Sequence, residues 1–171
     1  MLPINAAVDE TSGVDLNAHY RLQTRRAGTF DFNFGATYVA MHKTKLSPDS
    51  PWDNELTDIY YWLIPRTKAN ASVTWHYHDF TTTLYGSRLG GIPNYYGTQR
   101  MGPTFLYNAT LGYRVARGIN VSLTVDNLFD ARPPLDTTWT SYPYYSRNWF
   151  SAVGRAYFVQ MSMKFGGKNG G

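Results

Sequence analysis

Alternation at a period of two constrains this chain more than any other feature. Val14, Leu16, Ala18, Tyr20 and Leu22 interleave with Asp15, Asn17, His19, Arg21 and Gln23. The same rhythm returns from Phe30 to Tyr38, Ala69 to Tyr77, Phe105 to Tyr113, Ile119 to Val125 and Tyr157 to Phe165. Successive side chains of a strand point to opposite faces, so each run is expected to be a strand with one apolar and one polar side. Phe80 to Leu89 reads as a weaker strand whose faces the alternation does not assign. No segment carries helical periodicity, and the expected fold class is all-β.

The connections alternate as well. Arg25 to Gly28, His78-Asp79 and Ala116 to Gly118 are short turns, whereas Leu46 to Pro65, Gly90 to Pro103 and Leu128 to Gly154 are long linkers. Short turns on one side, long loops on the other and strands of about ten residues describe an up-and-down transmembrane barrel. Its apolar face would meet outer-membrane lipid and its polar face a wet lumen. Tyr20, Phe30, Tyr77, Tyr113 and Phe165 lie on the apolar face near the short turns or the end of the final strand. That is where an interfacial girdle belongs, because amphipathic rings favour the headgroup layer. The competing architecture is a soluble sandwich or lipocalin-like barrel binding an apolar ligand, with the same aromatics as core.

Composition supports the membrane barrel. Charged residues make up only 16% of the 171, against about 25% in ordinary globular domains, while aromatics reach 16%. No run approaches the roughly 20 apolar residues of a membrane-spanning helix. Without cysteine there are neither disulfides nor thiolate metal sites. The net charge of +4 is scattered rather than gathered into a block that would track a phosphate backbone, so no nucleic-acid partner is expected. Residues 1–7 lack the basic and apolar regions of a signal peptide.

Parity adds a further expectation. About seven up-and-down strands begin on the long-loop side and end on the short-turn side, so closing them alone would pair the first and last in parallel. An open edge in lipid would leave backbone groups without partners, at several kcal/mol each. The chain is therefore expected to be one part of a larger barrel. The alternative is a complete small outer-membrane barrel with a structural or adhesive role, which would need a further strand or oligomeric closure.

The stretch "NVSLTVDNLFDARPP" (Asn120 to Pro134) shows a regular strand stopping abruptly. Asn and Asp favour turns, and Pro133-Pro134 remove two donors, so the ladder is expected to yield to a loop here. Asn127, Leu128, Phe129 and Asp130, followed later by Gly154, Arg155 and Tyr157 and a closing Phe165, resemble the C-terminal end of TonB-dependent outer-membrane receptors. In that family an N-L-F-D segment closes the penultimate strand and a G-R-x-Y segment opens the last. The resemblance implies a Gram-negative outer-membrane receptor of about 22 strands, with a lumen plugged by an N-terminal domain. Such a receptor imports a scarce ligand of the siderophore, cobalamin or carbohydrate class, with energy delivered through TonB. On this reading residues 1–12 are the remnant of a preceding external loop, 13–165 the C-terminal part of the barrel and 166–171 a Gly-rich tail. The plug, the TonB box and the remaining strands lie outside this chain, so TonB is an indirect partner.

Loop aromatics are the candidate ligand contacts: Trp52, Tyr60, Tyr61 and Trp62 in the first long loop, Tyr95 and Tyr96 in the second, and Trp139, Tyr142, Tyr144 and Tyr145 with Trp149 in the third. Such rings suit stacking and amphipathic contact. Arg21, Lys43, Lys68, Arg88 and Arg114 are expected to line the lumen. His76 and His78 share a face at a chelating spacing but have no third ligand in sequence. Asp49, Asp53, Glu55 and Asp58 lack the register of a calcium loop. No cofactor or metal is assigned. Enzymatic motifs are missing: there is no Gly-rich phosphate loop, no G-x-S-x-G and no H-E-x-x-H. Asp126 with Asp130 makes no catalytic pair, since one belongs to a strand face and the other to a turn.

Overall fold

A computed structural model describes residues 8–57 and 64–164. Seven long strands and one short one follow in order: β1 (Val8–Thr24), β2 (Gly28–Lys45), β3 (Asp53–Asn54), β4 (Thr67–Tyr77), β5 (Phe80–Leu89), β6 (Thr104–Ala116), β7 (Ile119–Asp126) and β8 (Ala156–Met163). They form one sheet in the order β1-β2-β4-β5-β6-β7-β8, with β3 added to β2. Every pairing is antiparallel. There is no helix among the described residues.

The register aligns the apolar sets across the sheet. Phe32 faces Tyr20 on one side and Val73 on the other, Val73 faces Leu84, and Leu84 faces Ala109. Among the described residues no second layer covers this face: Leu16, Tyr20, Leu84, Leu111, Leu123 and Val159 are all exposed. The buried apolar side chains Leu56, Ile92 and Tyr145 belong to loops instead. A soluble sandwich would bury the apolar stripe, and this sheet leaves it open.

The opposite face satisfies itself with polar contacts. Thr74 and Thr83 hydroxyls meet at 2.9 Å, and Thr110 and Thr124 at 3.0 Å. Register settles the weak strand β5 as well. Phe80, Thr82, Leu84, Gly86 and Arg88 fall on the apolar face, because Phe80 opposes Tyr77 and Arg88 opposes Ala69.

That assignment corrects one expectation: Arg88 is not in the lumen. Its Nη1 donates to Thr67 Oγ1 at 2.9 Å and its guanidinium lies 6.0 Å from the Phe105 ring, on the apolar side. A second correction concerns Lys43. The β1–β2 register shifts between Ser12 and Gly13, inserting an extra residue on β2. Beyond this bulge His42 and Thr44 take the polar face and Lys43 moves to the other. A Cβ on Gly13 would run into the Tyr38 carbonyl, so glycine permits the close approach there. Arg21, Lys68 and Arg114 keep the polar face.

β1 starts at Val8, so residues 8–12, expected to be a loop remnant, are strand. With 17 and 18 residues, β1 and β2 exceed the roughly ten needed to cross a bilayer, and their surplus projects on the long-loop side. At the short-turn end the aromatics form a row. Tyr20 and Phe32 stack at 6.3 Å, Phe30 and Trp75 at 6.2 Å, Trp75 and Tyr77 at 5.6 Å, and Phe80 meets Tyr113 at 4.7 Å. Trp75 Nε1 also donates to the Ala27 carbonyl at 2.6 Å, tying the row to the β1–β2 turn. Phe165, the remaining girdle candidate, lies outside the described residues.

Candidate ligand-contact face on the long loops

The third loop begins at Asn127, whose φ of 51° leaves the extended region and ends the ladder. Asparagine tolerates this left-handed conformation better than most residues. Its side chain then clasps Ala131, accepting from the Ala131 amide and donating to the Ala131 carbonyl, both at 2.8 Å. The stop therefore comes at Asn127, before Pro133 and Pro134 are reached. Leu128 N donates to the Tyr107 carbonyl at 2.7 Å, and Phe129 sets its ring edge against Tyr107 at 5.3 Å.

Asp130 completes the motif. Its Oδ1 accepts the Arg155 amide at 2.9 Å, joining the end of β7 to the start of β8 across the whole third loop. A Cβ on Gly154 would stand 2.6 Å from that same oxygen. The two halves of the family motif thus make one clasp, and glycine precedes Arg155 because the carboxylate occupies the space. Tyr157 opposes Val125 on the apolar face. These residues join the end of β7 to the start of β8.

The second and third loops are locked together by Asp136, only 3% exposed. Its Oδ2 accepts the Tyr95 amide at 2.7 Å, while Oδ1 accepts the Thr138 amide at 2.9 Å and the Thr138 hydroxyl at 2.6 Å. Asp136 N in turn donates to the Tyr144 carbonyl at 2.7 Å. In the second loop buried Asn94 closes a turn, accepting the Gln99 amide at 3.1 Å and donating to Thr98 Oγ1 at 2.9 Å. Sequence reading singled out neither Asp136 nor Asn94. The available signal was the Asp-Thr-Thr run at 136–138, a composition that favours side-chain-to-backbone turns.

Around this lock the predicted aromatics gather. Tyr95 packs against Trp139 at 4.9 Å and Tyr96 at 5.4 Å, and Tyr142 meets Tyr144 at 6.2 Å. Tyr95, Tyr96, Tyr142 and Tyr144 remain exposed, so they present a ring-rich surface. Tyr145 does not join them: at 8% exposure it packs inside the loop. Trp149 lies over Lys68 Nζ at 4.4 Å, toward the polar face. Trp52 is held separately against Lys45 Nζ at 5.0 Å. Tyr60, Tyr61 and Trp62 fall outside the described residues, as does Asp58.

Near the short-turn end the polar face carries an ionic cluster. Asp31 is 7% exposed and lies 2.5 Å from Arg21 Nε, 3.4 Å from His76 Nε2 and 4.0 Å from His19 Nε2. His76 thus pairs with a carboxylate rather than with His78, whose φ of 53° places it in the turn with its ring against Tyr77.

An open, fully antiparallel sheet with a bare apolar face, a polar face paired within itself and loops on one end defines a segment of a transmembrane-type β-barrel. The chain belongs to the TonB dependent receptor-like β-barrel family, whose model matches residues 2–128. Proteins of this family are receptors and transporters rather than enzymes. A variant of the ferric enterobactin receptor PfeA from Pseudomonas aeruginosa is similar over 90% of this chain, at 16% identity and a TM-score of 0.55. The ferric yersiniabactin uptake receptor FyuA from Yersinia pestis is similar over 91%, at 21% identity and a TM-score of 0.51. At these identities the likeness is one of fold. The chain spans 22% of the length of either receptor. No curated protein matches it.

Proposed function

We propose that this chain is the C-terminal barrel part of an outer-membrane receptor that takes up a scarce ligand with energy delivered through TonB. The observation that carries the reading is the division of the sheet: apolar side chains left bare on one face, hydroxyl pairs and the Asp31 cluster on the other. Lipid covers the first face and an aqueous, plugged lumen the second. Both edge strands, β1 and β8, pair with strands contributed from outside this chain, and the plug that engages TonB likewise precedes it in the polypeptide.

The long loops face the external medium, where Tyr95, Tyr96, Trp139, Tyr142 and Tyr144 make first contact with ligand. Rigid rings on a locked scaffold bind at low entropic cost. Among the three ligand classes the siderophore class is favoured, since the solved relatives are receptors for ferric enterobactin and ferric yersiniabactin.

An immunoblot of fractionated membranes with an antibody against the 139–145 loop tests this reading. A band in the outer membrane several times heavier than 19.4 kDa is expected. A band at 19.4 kDa in the outer membrane would indicate a small barrel, and one in a soluble fraction would end the membrane reading.

A further inference from the structure

The projecting part of the β1–β2 hairpin meets β3 in a cluster that the uptake reading does not use. Register sets Thr44 opposite both Asp9 and Asp53, and His42 opposite Thr11 in the next row. Glu55 follows β3 and donates its amide to the His42 carbonyl at 3.0 Å. His42 Nε2 lies 3.1 and 3.3 Å from the two oxygens of Asp9, and Nδ1 lies 3.2 Å from Glu55 Oε2. Asp9, His42 and Glu55 offer donor atoms that all fall within 4.8 Å of one another.

Two features ask for a positive charge here. A neutral imidazole has one N–H and can donate to only one of two carboxylates, so the second nitrogen needs a proton or a cation to face the other. Thr44 Oγ1 is buried and has no hydrogen-bond partner. Such orphaned oxygens are uncommon and call for an explanation. Thr44 stands directly across from Asp9, at the usual cross-strand Cβ separation of about 5 Å. Lys43 and Lys45 of the same strand belong to the opposite face, where Lys45 Nζ donates to the Pro48 carbonyl at 2.9 Å and covers Trp52.

We propose that Asp9 and His42, completed by water, bind a divalent transition-metal cation of the zinc type, with Glu55 as the positioning residue. Glu55 accepts the Nδ1 proton and thereby fixes the tautomer that turns the Nε2 lone pair toward Asp9, the carboxylate–histidine–metal arrangement. Ligand bonds of about 2.0–2.2 Å at tetrahedral angles place neighbouring donors about 3.3–3.6 Å apart, and the Nε2 to Asp9 Oδ2 separation of 3.3 Å meets this. An imidazole nitrogen among oxygen donors selects zinc-type ions over calcium, which takes oxygen ligands alone. The bound ion links β1 and β2, and through Glu55 the root of the first long loop, so it staples the loop that carries Trp52.

The test is a Zn2+ titration of the native polypeptide in detergent after chelator treatment, followed by calorimetry and by protease cleavage within residues 46–65. Zn2+ is expected to bind tightly and to slow that cleavage, whereas Ca2+ does neither. Asp9→Asn, at an exposed side chain where folding is not at stake, should weaken binding at least tenfold. Glu55→Gln should weaken it about 10–100-fold. If Zn2+ does not bind, binds with unchanged affinity in Asp9→Asn and His42→Gln, or leaves the loop equally cleavable, the proposal falls.

Discussion

At the short-turn end of the sheet the same kind of contact repeats strand after strand, from Tyr20 through Phe32, Phe30 and Trp75 to Tyr77. At the long-loop end each contact occurs once: Asp136 on Tyr95 and Thr138, Asp130 on Arg155, Asn127 on Ala131. The first end is held by periodicity, so any one ring is replaceable within its row. The second is held by single acceptors, Asp136 and Asn127 buried and Asp130 exposed, so one substitution releases a whole loop. In the proposed receptor this division would keep the sheet uniform and leave the loops free to vary around a few fixed locks.

The largest effect should come from crossing the two faces. Leu123→Arg places a charge on the apolar side near mid-strand and should cost about 2–4 kcal/mol, whereas Ser122→Arg next to it should cost under about 1 kcal/mol. Urea unfolding of the native polypeptide measures both, and equal costs would erase the distinction between faces. Next come the locks. Asp130→Ala hands the exposed Arg155 amide to water and should cost about 0.5–1.5 kcal/mol. Gly154→Ala should cost a similar amount by pushing the carboxylate off that amide, and the double variant should add little more. Full additivity would show that the two motif halves act separately.

Asp136→Ala should then expose residues 90–103 and 128–154 to protease, at about 1–3 kcal/mol of local stability, while the unfolding of the sheet stays unchanged. A similarly small effect is expected for Trp75→Phe. It keeps the ring in its row and loses one hydrogen bond to the Ala27 carbonyl, about 1 kcal/mol. A larger loss would mean that the girdle is less redundant than its repetition implies.

The strands were legible because a period of two is written directly in residue order, and six of the long strands declare their faces that way. Where apolar–polar contrast fails, legibility fails with it. β5 carries threonine on both faces, so residue order alone does not show that Arg88 shares a face with Ala69 and Phe105. The bulge at Gly13 resets the parity of β2, which moved Lys43. Val8 to Ser12 is mostly polar on both faces and read as loop, though it pairs with Met41 to Lys45. In the loops the aromatic surface was anticipated from residue type. Its lock was not, because a contact from Asp136 to Tyr95 spans the sequence without leaving a period. Tyr145 and Tyr144 are neighbours in sequence, and only packing decides that one is buried and the other exposed.

The central claim is that one face of this sheet meets lipid and the other a wet lumen. The chain has no cysteine of its own, so single cysteines at each position from Asn120 to Val125 can carry nitroxide labels in the native polypeptide reconstituted in bilayers. Collision with oxygen, which concentrates in lipid, should peak at Val121, Leu123 and Val125. Collision with a water-soluble nickel chelate should peak at Asn120, Ser122 and Thr124. Two out-of-phase waves with a period of two would establish the division of faces. Uniform accessibility, or the same two waves exchanged, would contradict it.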